Sequence, residues 1–120
     1  MVEQLDVVAV AEARNSPAHH PLKSAVLLDV REPWEFALAR IEQSVNIPMS
    51  TLSARVDEVR ALQGEDGSAS AAPVVLICHH GTRSMHCAQF LASQGLEKLV
   101  NLSGGIDAWS ARVDPAVPRY

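Results

Sequence analysis

The sequence predicts an α/β domain in which a parallel sheet of about five strands carries helices on both faces. Three observations support this. Short apolar runs such as Val74-Val75-Leu76-Ile77 lack polar alternation, so they read as strands covered on both sides. Stretches with apolar residues three and four apart alternate with those runs along the chain. Parallel neighbours then require crossover connections, which are right-handed and place helices over the sheet.

Composition sets bounds on the rest. A chain of 120 residues suits a single domain, residues 1–120. Aliphatic residues dominate and only 4 % of residues are aromatic, as expected for a packed parallel sheet. A net charge of −4 gives no electrostatic case for nucleic acid or an anionic membrane. Two cysteines do not make a disulfide framework. The opening residues lack a basic, then apolar, leader, and no apolar run is long enough to cross a bilayer. A reducing cytoplasm is the expected setting, and it would keep a thiol available.

In chain order, residues 5–10 hold a short edge strand and residues 9–14 a first helix. Asn15-Ser16-Pro17-Ala18-His19-His20-Pro21 then breaks the pattern as a loop, its histidines solvated and not ligands, because adjacent residues seldom aim at one ion. Residues 25–30 form a second buried strand, and Pro33 opens a helix through Leu38. At the carboxyl end of that strand Asp29 and Arg31 are placed on the rim of a site, or in a structural ion pair such as Arg31 with Glu35. Trp34 is a candidate rim aromatic, with core packing expected for it or for Phe36, and Arg40 is a candidate cation near the mouth. Residues 45–47 form a brief strand ended by Pro48. Residues 49–62 read as one amphipathic helix with Leu52, Val56, Val59 and Leu62 inward. Residues 63–72 are a low-complexity connection. Residues 98–102 make the last strand, Gly104-Gly105 a tight turn into a helix carrying Ile106 and Trp109, and residues 113–120 a loose, proline-punctuated tail.

The chemistry concentrates where the strand ending at Ile77 delivers Cys78 into a short polar loop. Behind that loop a helix carrying Met85, Ala88, Phe90 and Leu91 runs about three turns to Gly95. A helix start presents unpaired N–H groups, so the sulfur meets a positive end. Such a position lowers a thiol pKa from about 8.5 to between about 3.5 and 7.5. The loop amides, the helix dipole and Arg83 together predict a substantial thiolate fraction at neutral pH. Cys87 lies inside that helix nine positions after Cys78, about two and a half turns away, too far for an easy disulfide, and reads as core. The cluster of Cys78, His79, His80, His86 and Cys87 lacks the paired spacing of a structural zinc site, so no metal or other cofactor is expected.

Cys78-His79-His80-Gly81-Thr82-Arg83-Ser84 resembles the active-site loop of the rhodanese family of sulfurtransferases. Three further stretches resemble family motifs in the family's order: Leu28-Asp29-Val30-Arg31-Glu32-Pro33-Trp34-Glu35-Phe36, Val45-Asn46-Ile47-Pro48, and Leu102-Ser103-Gly104-Gly105-Ile106-Asp107-Ala108-Trp109. The resemblance implies a rhodanese-like three-layer sandwich with Cys78 as nucleophile and the backbone from His79 to Ser84 as substrate cradle. It also implies a small sulfur donor such as thiosulfate or a persulfide, and a thiol, cyanide or protein cysteine as acceptor. Where the family usually has Gly-His-Ile and then Pro-Gly-Ala, this chain has Ala39-Arg40-Ile41 and Glu42-Gln43-Ser44, which implies a less sharply turned loop. Two other readings remain. Cysteine-dependent phosphatases and arsenate reductases use five residues between cysteine and arginine to cradle a tetrahedral anion, and here there are four, His79 to Thr82. A sulfur-carrier or interaction module without turnover is the alternative of another class.

Overall fold

The computed structural model describes residues 2–16, 20–64 and 71–120. The expectation for His19 and the middle of the low-complexity connection fall outside them. Five strands, β1 (Val2–Asp6), β2 (Val26–Asp29), β3 (Val45–Asn46), β4 (Val74–Ile77) and β5 (Leu99–Ser103), form one parallel sheet ordered β1-β5-β4-β2-β3. Among the described residues six α-helices pack around it, α1 (Val7–Asn15), α2 (Pro33–Leu38), α3 (Met49–Leu52), α4 (Val56–Gln63), α5 (Thr82–Ser93) and α6 (Gly105–Arg112), with a 3-10 turn at Pro21–Ser24.

Central strand β4 is buried along its whole length, and its period of two divides the interior. Val75 and Ile77 point into a core shared with Val10 of α1 and with Ile106 and Trp109 of α6. Val74, Leu76 and Cys78 point to the opposite core, with Leu52, Val59, Ala88 and Leu91 from α3, α4 and α5. Truncating a fully buried residue such as Leu76 to alanine would cost about 2–5 kcal/mol. The same alternation aims Cys78 at the first turns of α5.

Several expectations change. The edge strand is Val2–Asp6 and not residues 5–10, because Asp6 accepts the Ala9 N–H at 2.8 Å as N-cap, which ends the strand and starts α1 at Val7. The helix expected over residues 49–62 is two helices. The break resets the phase: Val56, Val59 and Gln63 share the inward face of α4, while Leu62 is 40 % exposed. Gln63 donates to the carbonyls of Ala72 and Glu97, at 3.1 and 2.9 Å, and so ties both ends of the connection. Loss of glycine does not soften the turn before β3. Ser44 N–H donates to the Ile41 carbonyl at 3.2 Å, and Gln43 takes φ 72°, held by Arg14 at 3.2 Å. Nor is the tail loose. Val117 is buried, Ser110 donates to its carbonyl, and Tyr120 enters the site.

Candidate active site

Cys78 follows β4 directly, and its residue is 1 % exposed. Gly81, the N-cap of α5, has φ 106°, a left-handed conformation that turns its N–H toward the cysteine, 3.0 Å from Sγ. Ser84, in the first turn of α5 and fully buried, places Oγ 3.2 Å from the same sulfur. Of the loop expected to cradle the sulfur, Gly81 by its amide and Ser84 by its hydroxyl make the hydrogen-bond contacts to Sγ. Thr82 is exposed.

Helix α6 fixes the loop from outside. Ile106 N–H donates to the Cys78 carbonyl at 2.9 Å and Asp107 N–H to the His79 carbonyl at 3.1 Å. The approach is close enough that a Cβ on Gly105 would lie 2.4 Å from the Cys78 carbonyl oxygen. The glycine pair therefore lets the N-terminus of one helix hold the loop that opens another, a role that reading it as a turn did not assign.

Asp29 and Arg31 are not rim residues: both are fully buried. Arg31 bonds Asp29 through Nε at 2.9 Å and a terminal nitrogen at 2.6 Å, and also meets the carbonyls of Glu35 and Ala39 at 3.2 and 2.5 Å. The expected Arg31–Glu35 ion pair does not form, because Asp29 is Arg31's carboxylate partner and the Glu35 carboxylate turns to the loop. Arg83 meets Glu35 through two parallel bonds, 2.8 and 3.0 Å. This bidentate bond from Arg83 holds the Glu35 carboxyl down at about 2, against the opposing effect of its burial. The Arg83 guanidinium gives its hydrogen bonds to Glu35, and its charge still reaches Cys78, which is one of the groups that raise the Arg83 pKa, after Glu35.

Tyr120 completes this network. Its hydroxyl accepts from Arg31 at 2.8 Å and donates to Glu35 at 2.7 Å. Its ring stacks on His79, which stacks in turn on His80, and Trp34 meets Tyr120 edge-on at 6.1 Å. The sequence signal for Tyr120 was weak, a lone aromatic after two prolines. His79 is half-buried, and burial together with neighbouring His80 pushes its pKa down. Trp34 is 64 % exposed and Phe36 half-buried under Arg40, whose guanidinium lies 5.0 Å from the ring, so neither aromatic enters the core. Cys87 is buried, and burial pushes its thiol up to about 12.

His79, His80 and Asp107 present ligand atoms within 4.8 Å of one another. Stacked imidazoles direct their in-plane lone pairs side by side instead of at one point, and Arg119 already holds Asp107 by two bonds of 3.1 Å. The trio is a poor fit to a metal ion.

A family model described as rhodanese-like domain matches residues 9–112. The adenylyltransferase and sulfurtransferase MOCS3 of Arabidopsis thaliana is 31 % identical over 102 residues, covering 79 % of this chain and 22 % of that protein. MOCS3-1 of Zea mays is 37 % identical over 95 residues, covering 79 % of this chain and 20 % of that protein. The chain thus spans about a fifth of the length of these curated relatives. A rhodanese-related protein from Thermoplasma volcanium superposes with a TM-score of 0.73 at 28 % identity, covering 98 % of this chain and 99 % of that one. A parallel five-stranded sheet between helices, a cysteine loop at the carboxyl end of its central strand, and a match over most of the sequence agree: the chain belongs to the rhodanese-like domain family.

Proposed function

We propose that this domain transfers sulfane sulfur through Cys78. The thiolate attacks the outer sulfur of a donor such as thiosulfate. A bond forms from Cys78 Sγ to that sulfur as the sulfur–sulfur bond of the donor breaks, sulfite leaves with the electron pair, and Cys78 persulfide remains. An acceptor, whether cyanide, a small thiol or a protein cysteine, then takes the outer sulfur and restores the thiolate. The two half-reactions predict ping-pong kinetics.

The observation that supports this most is the pairing at the sulfur: Gly81 N–H and Ser84 Oγ both face Sγ, on a loop whose carbonyls α6 holds from behind. The Gly81 N–H is fixed in advance toward the developing charge, and the Ser84 hydroxyl lies within reach to donate to it after a rotation about Cβ–Oγ. The four-residue spacing to Arg83 favours a single sulfur over a tetrahedral oxyanion. The relatives named adenylyltransferase and sulfurtransferase support the same reaction class.

One observation favours the carrier reading within that class. Glu35 neutralises Arg83, so an anionic donor gains little from the loop's own cation. Intact mass after thiosulfate tests the proposal. One added sulfur on the wild type and none on Cys78→Ser is the expected result, and sulfur retained by Cys78→Ser overturns it. Rapid thiosulfate-to-cyanide turnover identifies a free-standing enzyme; persulfide without turnover identifies a carrier.

A further inference from the structure

Asn101 lies on β5, 2 % exposed, with its side-chain amide fully engaged. Nδ2 donates to the main-chain carbonyl of Gly81 at 3.1 Å and to Gln4 Oε1 at 2.8 Å. A backbone carbonyl can only accept, so the amide nitrogen must face Gly81, and Oδ1 must face Ser84. Ser84 Oγ sits 2.5 Å from that Oδ1 and 3.2 Å from Cys78 Sγ.

A hydroxyl has one proton to donate. The shorter contact, to an atom that can only accept, takes it, so Ser84 turns lone pairs toward the sulfur. That arrangement suits a thiol, whose S–H donates to Ser84 Oγ. It opposes an anionic sulfur, which would face an acceptor. Among the described residues no charged side chain donates a hydrogen bond to Sγ, because Arg83 gives its bonds to Glu35, and His80 lies 3.9 Å from Asp107, which Arg119 holds.

We propose that Asn101 is a positioning residue that holds the Ser84 hydroxyl in one of two orientations. Charging Cys78, as thiolate or persulfide, turns the Ser84 proton from Asn101 Oδ1 to the sulfur. The thiol proton leaves to a solvent base. Ser84 keeps its own proton and rotates about Cβ–Oγ, so no bond between heavy atoms forms or breaks. Asn101 also holds the carbonyl of Gly81, whose N–H is the sulfur's other donor, and one buried amide therefore governs both groups that face Sγ. The inference rests on Cys78 being the reacting sulfur of the proposed function.

The test is the rate at which iodoacetamide alkylates Cys78 in the full chain at pH 7, followed by intact mass, with thermal melting to confirm each variant's fold. Ser84→Ala removes the donor that the anion recruits and is expected to slow alkylation about tenfold, the scale of a charge-assisted hydrogen bond. Asn101→Leu releases the hydroxyl to the sulfur and is expected to speed alkylation about threefold or more, but only while Ser84 is present. Acceleration that persists in the double variant overturns the proposal, as does a Ser84→Ala rate equal to or above wild type. Should Asn101→Leu fail to fold, the near-isosteric Asn101→Asp serves. It grips the Ser84 proton harder, so it must slow alkylation more with Ser84 than in the Ser84→Ala background, and equal slowing in both backgrounds overturns the proposal. Alkylation reads the charge on sulfur without any transfer, so coupling that survives in a protein unable to take sulfur from a donor sinks the functional reading alone.

Discussion

Tyr120 lies flat on His79, with ring centroids 4.1 Å apart and planes 5° from parallel. The residue beside the cysteine is thus clamped by a residue 41 positions downstream, whose hydroxyl also bridges Arg31 and Glu35. Tyr120→Phe keeps the stack and loses the bridge, with an expected cost of about 1–2 kcal/mol in urea unfolding. Tyr120→Ala loses both and should cost about 2–3 kcal/mol. Equal stability of the two variants would show that the stacked ring contributes nothing.

The Glu35–Arg83 pair sets an acid limit. Glu35 titrates at about 2 in the folded chain, against about 4.5 unperturbed. A depressed folded value means the contribution to stability is complete above the unfolded pKa and is lost as pH falls from about 5 toward 2. Its size is on the order of 2–3 kcal/mol, reduced by the partial exposure of Arg83. Glu35→Gln should flatten the stability profile between pH 5 and about 2 in chemical unfolding. An unchanged slope would mean that other carboxylates carry the acid sensitivity.

Two glycines with positive φ separate packing from backbone preference. Gly105→Ala drives a Cβ to 2.4 Å from the Cys78 carbonyl oxygen, and at φ 62° it should destabilise by at least about 2 kcal/mol and disorder the loop. Gly95 has φ 90°, and a Cβ added there would meet no atom within 4 Å, so Gly95→Ala should cost only about 1 kcal/mol. Thermal melting of both variants gives the comparison, and equal losses would remove the argument that α6 presses on the loop.

Cys87 should stay silent in the folded state. With its thiol pushed up to about 12 by burial, native protein at pH 7 is expected to incorporate one alkyl group, on Cys78, and two once unfolded in urea. Peptide mapping checks this, and native labelling at Cys87 would show that the core around α5 opens.

Apart from the helix expected over residues 49–62, which splits in two, the order of strands and helices, the covered sheet and the loop around Cys78 follow from the amino-acid sequence alone. These are local: β-branched runs, a helical period and a glycine at a helix start act through neighbours in the chain, and β4 and α5 formed as their residues dictated. Which charges pair was settled only in the folded chain. Arg31 could reach Glu35 four residues away, yet Asp29 took it and left Glu35 to Arg83, 48 positions distant. The folded tail, the clamp of α6 on the Cys78 carbonyl and the Ser84–Asn101 contact are likewise long-range. Hydrophobic period fixes the face a residue presents, but a polar group's partner depends on which buried donors and acceptors remain unsatisfied once all the elements have met.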